Sequence, residues 1–127
     1  MENKKIKSFT DLKAWQEGHK LVLTIYKEAE KFPKKEIFGL TSQMRRSAVS
    51  VTSNIAEGFS RNTNKDKCHF YSNALGSLTE LQNQLLITRD VGYLERKLFF
   101  EVAEQTVIVV KILNGLKRIK NNSDTRY

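Results

Sequence analysis

Gly39-Leu40-Thr41-Ser42-Gln43-Met44-Arg45-Arg46-Ser47-Ala48-Val49-Ser50-Val51-Thr52-Ser53-Asn54-Ile55-Ala56-Glu57-Gly58 is the stretch on which the fold turns. Its apolar members Leu40, Met44, Ala48, Val51 and Ile55, extended by Ile37 before and Phe59 after, recur every three or four residues. That period places them on one side of an α-helix, whereas a half-buried strand would alternate every second residue. Gly58 stands where a helix C-cap is expected.

The chain repeats this pattern on both sides. Before the stretch, Leu12, Trp15, His19, Val22, Tyr26 and Ala29 share a helical period, and Pro33 ends the run because it lacks an N–H and disfavours helix at Phe32. Ser8 and Asp11 form a capping-box pattern at its start. After the stretch comes a polar segment, Ser60 to Lys67, in which Thr63 and Asp66 make a second such pattern. Tyr71, Ala74, Leu78, Leu81, Leu85 and Thr88 then mark a third helix, with Leu75 and Leu86 beside the stripe and Gly92 to stop it. Leu98, Val102, Thr106, Val109, Leu113 and Leu116 mark a fourth, widened by Phe99, Ala103 and Val110. The expected helices cover about 10–32, 36–58, 64–91 and 94–120, with frayed ends, in one domain spanning 1–127. Short loops make successive helices antiparallel, so the fold class is all-α, an up-down-up-down four-helix bundle.

Composition agrees with this. Six Gly and one Pro in 127 residues leave few places where an element must stop, and 39% apolar residues supply a single core. The lone cysteine, Cys68, can form no intrachain disulfide, and no apolar leader opens the sequence, which together imply a cytoplasmic setting. The longest aliphatic run, Val107 to Val110, is far short of the ~20 residues a membrane span needs. Twenty-two Lys and Arg against fourteen Asp and Glu give a formal charge of +8, which attracts nucleic acid or anionic lipid and equally serves plain solubility.

Sites for chemistry are hard to assemble. His19 and His69 fall on different helices without metal-ligand spacing, so no metal is expected. Cys68 and His69 are neighbours in sequence and therefore do not face each other on a helix. The glycines form no phosphate loop, and no cofactor is implied. Trp15 and Tyr26 could stack on bases, but their place on the helix-one stripe assigns them to the core. The chain does not read as an enzyme.

What departs from a plain bundle is polar. Gln43, Arg46, Ser47, Ser50, Asn54 and Glu57 lie within about 100° of arc beside the apolar stripe of helix two. Asn73, Ser77, Glu80 and Gln84 form a matching line on helix three. A solvated flank is the ordinary reading of one such stripe. Two of them, with small hydroxyl residues that permit close approach and Arg46 able to face Glu57 or Glu80, suggest polar contacts between helices or subunits.

Three blocks carry a family likeness: Phe9, Asp11, Leu12 and Trp15; the GLTSQMRR run at 39–46 with Ser50 and the NIAEG run at 54–58; and Phe70, Ala74, Gly76-Ser77-Leu78 and Glu80-Leu81. Over residues 9 to about 118 the sequence resembles the 23S rRNA intervening-sequence proteins. One departure is at the entry to helix four, where Leu94 and Glu95 follow Tyr93 in place of a serine-type cap. The resemblance implies a bundle assembling into a ring, with a homopentamer favoured. It also implies kinship with the accessory bundle protein of diversity-generating retroelements, a basic pentamer that works with a reverse transcriptase and nucleic acid.

Two functions compete. The first is an oligomer that binds RNA or DNA backbones without reading sequence, using Lys4, Lys5, Lys7, Lys117, Arg118 and Lys120 at the chain ends and Arg45, Arg61, Lys65 and Lys67 around the second loop. The alternative is a protein-interaction scaffold or accessory factor for a nucleic-acid enzyme such as a reverse transcriptase, its charge serving orientation.

Overall fold

A computed structural model describes residues 5–125, with side chains through Asn122. Four α-helices account for most of it: α1 Lys13–Ala29, α2 Leu40–Ser60, α3 Asn64–Asp90 and α4 Arg96–Thr125. Single 3-10 turns, Phe9–Asp11 and Lys34–Glu36, precede α1 and α2, and the described residues contain no strand. The helices pack in a closed cycle, α1 on α2, α2 on α3, α3 on α4 and α4 back on α1.

Several ends differ from the sequence expectation for local reasons. The Ser8/Asp11 capping box is present but closes the 3-10 turn, and Leu12 is extended before α1 begins. The second helix starts at Leu40 and not at 36, because Gly39 (φ −117°, ψ −115°) breaks the chain after the 3-10 turn. Ile37 is thus left in the connection, half exposed. Gly58 is no C-cap: it lies inside α2, buried, and a Cβ there would stand 2.7 Å from Tyr71 Cε1. The absent side chain is a packing device that lets α2 and α3 approach.

Thr63 Oγ1 does cap α3, accepting the Asp66 N–H at 3.1 Å. Gly92, at φ +86°, takes the left-handed conformation that ends α3, while the Tyr93 N–H returns to the Thr88 carbonyl at 2.9 Å. The fourth helix enters at Arg96, with the Glu95 carbonyl accepting the Phe99 N–H, and continues to Thr125 through residues expected to fray.

The core holds the predicted stripes of α2, α3 and α4: Met44, Ala48, Val51 and Ile55; Tyr71, Ala74, Leu78, Leu81 and Leu85; Val102, Val109 and Leu113. On α1 the buried face is another one, Ala14, Gly18, Leu21, Ile25 and Ala29, turned by one residue from the expected stripe. Both faces are periodic, and the expected one carries the larger, aromatic side chains. Sterics chose the small one: a Cβ on Gly18 would lie 3.1 Å from Thr52 Cγ2, so α2 packs close against this side. His19 and Tyr26 are consequently exposed, with His19 stacked on a partly buried Trp15 and the Arg45 guanidinium over the Tyr26 ring.

Candidate functional site

The polar stripes resolve into separate features. Ser50 Oγ and Ser77 Oγ meet at 2.7 Å across α2 and α3, and Asn54 Nδ2 donates to the Ser50 carbonyl at 2.8 Å and its hydroxyl at 3.1 Å. Arg46 reaches Glu80, not Glu57, at a loose 3.6 Å with both side chains largely in solvent. Such a pair contributes little to stability. Glu57 pairs with Arg61 one turn on, at 2.8 Å. Ser47 is interior, its hydroxyl without a hydrogen-bond partner, and Asn73 is exposed. The seam is therefore short, centred on Ser50, Asn54 and Ser77.

At the loop between α1 and α2 the stripes open into a cleft of about 430 Å³. Gln43, Glu80, Asn83 and Gln84 line its polar side, and Leu40, Ile87, Val91 and Tyr93 its apolar side. Glu36 completes it, fixed by the Tyr93 hydroxyl (2.8 Å to Oε2) and the Leu40 N–H (3.3 Å to Oε1). The tyrosine hydrogen bond, then the backbone one, holds the Glu36 carboxyl below its usual range, and the same contact raises the Tyr93 hydroxyl. Glu36 and Tyr93 are 57 residues apart, so no local signal in the sequence could pair them. Nor could it pair Gln82 Nε2 with Thr106 Oγ1 (3.0 Å), which joins α3 to α4.

The opposite end of the bundle is basic. It gathers the last turn of α2, the first turn of α3, the end of α4 and the segment before α1, which the sequence could treat only as separate groups. Lys67 and Lys120 share one cavity with Ile6, and Lys5 and Lys7 flank Ile6 in the next. Cys68 Sγ donates to the Lys117 carbonyl at 3.7 Å, tying α3 to α4 there. Lys65 and Arg118 are exposed at the same end. Arg61 is there too, but its guanidinium is engaged by Glu57 and lies over the Phe70 ring. Lys67 is likewise engaged, donating to the Phe59 carbonyl at 2.7 Å at the end of α2. Burial, with Lys120 adding repulsion, lowers its pKa. Arg45 lies elsewhere, near Pro33 and Tyr26, and Lys4 is outside the described residues.

Among the described residues no group of three or more His, Cys, Asp or Glu side chains is placed to hold a metal ion. No described helix is long and apolar enough to cross a membrane.

Comparison with known proteins places this arrangement. The family model for 23S rRNA-intervening sequence proteins matches residues 10–115, and the chain belongs to that family. Among solved structures, a protein of unknown function from the S23 ribosomal protein family of Bacteroides thetaiotaomicron VPI-5482 has the same fold. The TM-score is 0.77 at 17% identity, covering 83% of this chain and 95% of that one. No curated protein matches the chain.

Proposed function

We propose that this member of the 23S rRNA-intervening sequence protein family is a non-enzymatic, self-assembling, up-down-up-down bundle of the cytoplasm. Its basic end binds RNA or DNA backbones without reading base sequence. The antiparallel order is supported by the contacts: the end of α2 meets the start of α3 at Gly58 and Tyr71, and the start of α3 meets the end of α4 at Cys68 and Lys117. A ring of copies, with a homopentamer the favoured size, would present several such ends together and multiply their field.

The observation that carries the nucleic-acid reading is the convergence of Lys5, Lys7, Lys65, Lys117, Arg118 and Lys120 from three separate stretches of sequence on one end. Helix dipoles do not account for it: the last turn of α4 holds no basic residue, and Lys5, Lys7 and Lys65 precede α1 or sit in the first turn of α3.

The test is salt dependence. If Lys5, Lys7, Lys65 and Arg118 each meet a phosphate, log K falls with log salt at a slope of about −3.6 on duplex DNA and about −2.8 on single strands. Between 50 and 200 mM salt, affinity then drops about 150-fold and about 50-fold respectively. Lys65→Gln with Arg118→Gln should remove about half the slope. Absence of binding to either nucleic acid at low salt, with recovery of a specific protein on the immobilised chain, would favour the scaffold reading.

A further inference from the structure

The cleft beside Phe38 has the chemistry of a receptor for a cation on an aliphatic stem. Two carboxylates, Glu36 and Glu80, stand at it, and no Lys or Arg lines it, in a chain whose formal charge is +8. Glu36 is locked in place by two hydrogen bonds, whereas Glu80 has only the 3.6 Å contact with Arg46. Gln84 also lines the cleft, is only 6% exposed, and its Oε1 has no hydrogen-bond partner. A sealed carboxamide oxygen left without a donor is costly, and a turn of the amide would present it to a donor arriving in the cleft. The remaining wall, Leu40, Ile87, Val91 and Tyr93, suits methylenes. An anion is excluded by the two carboxylates, although α2 begins here.

We propose that this cleft receives a lysine or arginine side chain from a second copy of the chain. The head group would sit between Glu80 and Gln84 and the stem along the apolar wall. This rests on the self-assembly reading above and names one of its contacts. Charge complementarity supplies the occupant, since the chain carries 22 Lys and Arg against 14 acidic residues. The rim supplies the second argument. Phe38, next to the cleft-lining Gly39, is 95% exposed, and Ile37 is 49% exposed. Solvent is a poor environment for that pair, and a protein surface laid over the cleft would bury it. Planar guanidinium, with its fan of N–H donors, satisfies a carboxylate and a carboxamide together better than an ammonium does.

The experiment combines sedimentation velocity over a dilution series with amide NMR, on wild type, Glu80→Gln, Phe38→Ala and Arg46→Ala. Agmatine, a guanidinium on a short aliphatic stem, is the probe. Glu80→Gln and Phe38→Ala should each raise the dissociation constant of the assembly at least about tenfold. Arg46→Ala should not, because it frees Glu80 without removing its charge. Agmatine should shift the Gln84 side-chain amide and lower the mass of the wild-type assembly. Unaltered assembly in Glu80→Gln, or equal weakening in Glu80→Gln and Arg46→Ala, overturns the proposal. A chain monomeric at every concentration defeats the self-assembly reading and the second copy as occupant. An agmatine shift in that monomer, lost in Glu80→Gln, would still show the cleft to be a cation site.

Discussion

Two glycines inside helices should respond to the same substitution with opposite sign. An alanine in a helix interior is favoured over glycine by about 1 kcal/mol. At Gly76, on the exposed side of α3, an added Cβ meets nothing within 4 Å, so Gly76→Ala should stabilise by about that amount. At Gly58 the Cβ would lie 2.7 Å from Tyr71 Cε1, 3.0 Å from Tyr71 Cδ1 and 3.1 Å from Phe70 Cβ. Tyr71 is 1% exposed and cannot swing aside, and Phe70 Cβ is fixed to the α3 backbone. Relief requires α2 and α3 to part by some tenths of an ångström, along the seam where Ser50 and Ser77 hold them together. Overpacking of this kind costs about 1–3 kcal/mol, and at its upper end leaves a net loss of about 2 kcal/mol after the helix gain. A chain of this size shifts by about 4 °C per kcal/mol, so Gly76→Ala should raise the melting temperature by about 4 °C and Gly58→Ala lower it, by as much as about 8 °C. Circular dichroism at 222 nm, at equal subunit concentrations so that any self-assembly contributes alike, measures both. A Gly58→Ala protein that gains as much as Gly76→Ala would refute the claim that glycine is required there for close helix approach.

Burial, reinforced by the nearby Cys68 thiol, pushes the Tyr71 hydroxyl up to about 12. An unfolded chain therefore loses that proton first, and the stability it represents is intact below pH 10 and disappears as pH rises from 10 to about 12. Denaturant melts at pH 8, 10 and 11 should show a falling advantage of wild type over Tyr71→Phe; a constant difference would contradict the burial argument. Ser50→Ala strands the Ser77 hydroxyl in a part-buried site and should cost about 1 kcal/mol, with the Ser50→Ala/Ser77→Ala pair costing less than the sum of the single changes. Additive losses in urea titrations would show that the two hydroxyls are not coupled.

How much of this was written locally can be seen residue by residue. The stripes of α2, α3 and α4 were legible because large aliphatic side chains at one period admit a single buried face. Gly92 was legible because a left-handed turn needs it. Gly58 was misread, since a glycine near the end of a periodic run signals a cap just as well as a crossing, and only the partner helix distinguishes them. The same ambiguity moved the buried face of α1, where Ala14 and Gly18 matter for what they lack. Composition could not show that Glu36 belongs with Tyr93, or that Ile6 sits with Lys67 and Lys120.

These long-range pairings are what give the bundle its polarity. Folding brings the lysines before α1 to those at the start of α3 and the end of α4, and puts the cleft with its two carboxylates and Phe38 at the other end, where Lys27, Lys34, Lys35 and Arg89 also stand. Like charges gathered on one end repel neighbouring copies, and screening or phosphate relieves that repulsion. An attractive contact at the far end is then the economical way to hold copies together without covering the basic surface. If the two ends do this different work, Glu80→Gln should weaken assembly and leave unchanged the salt slope proposed for Lys65 and Arg118.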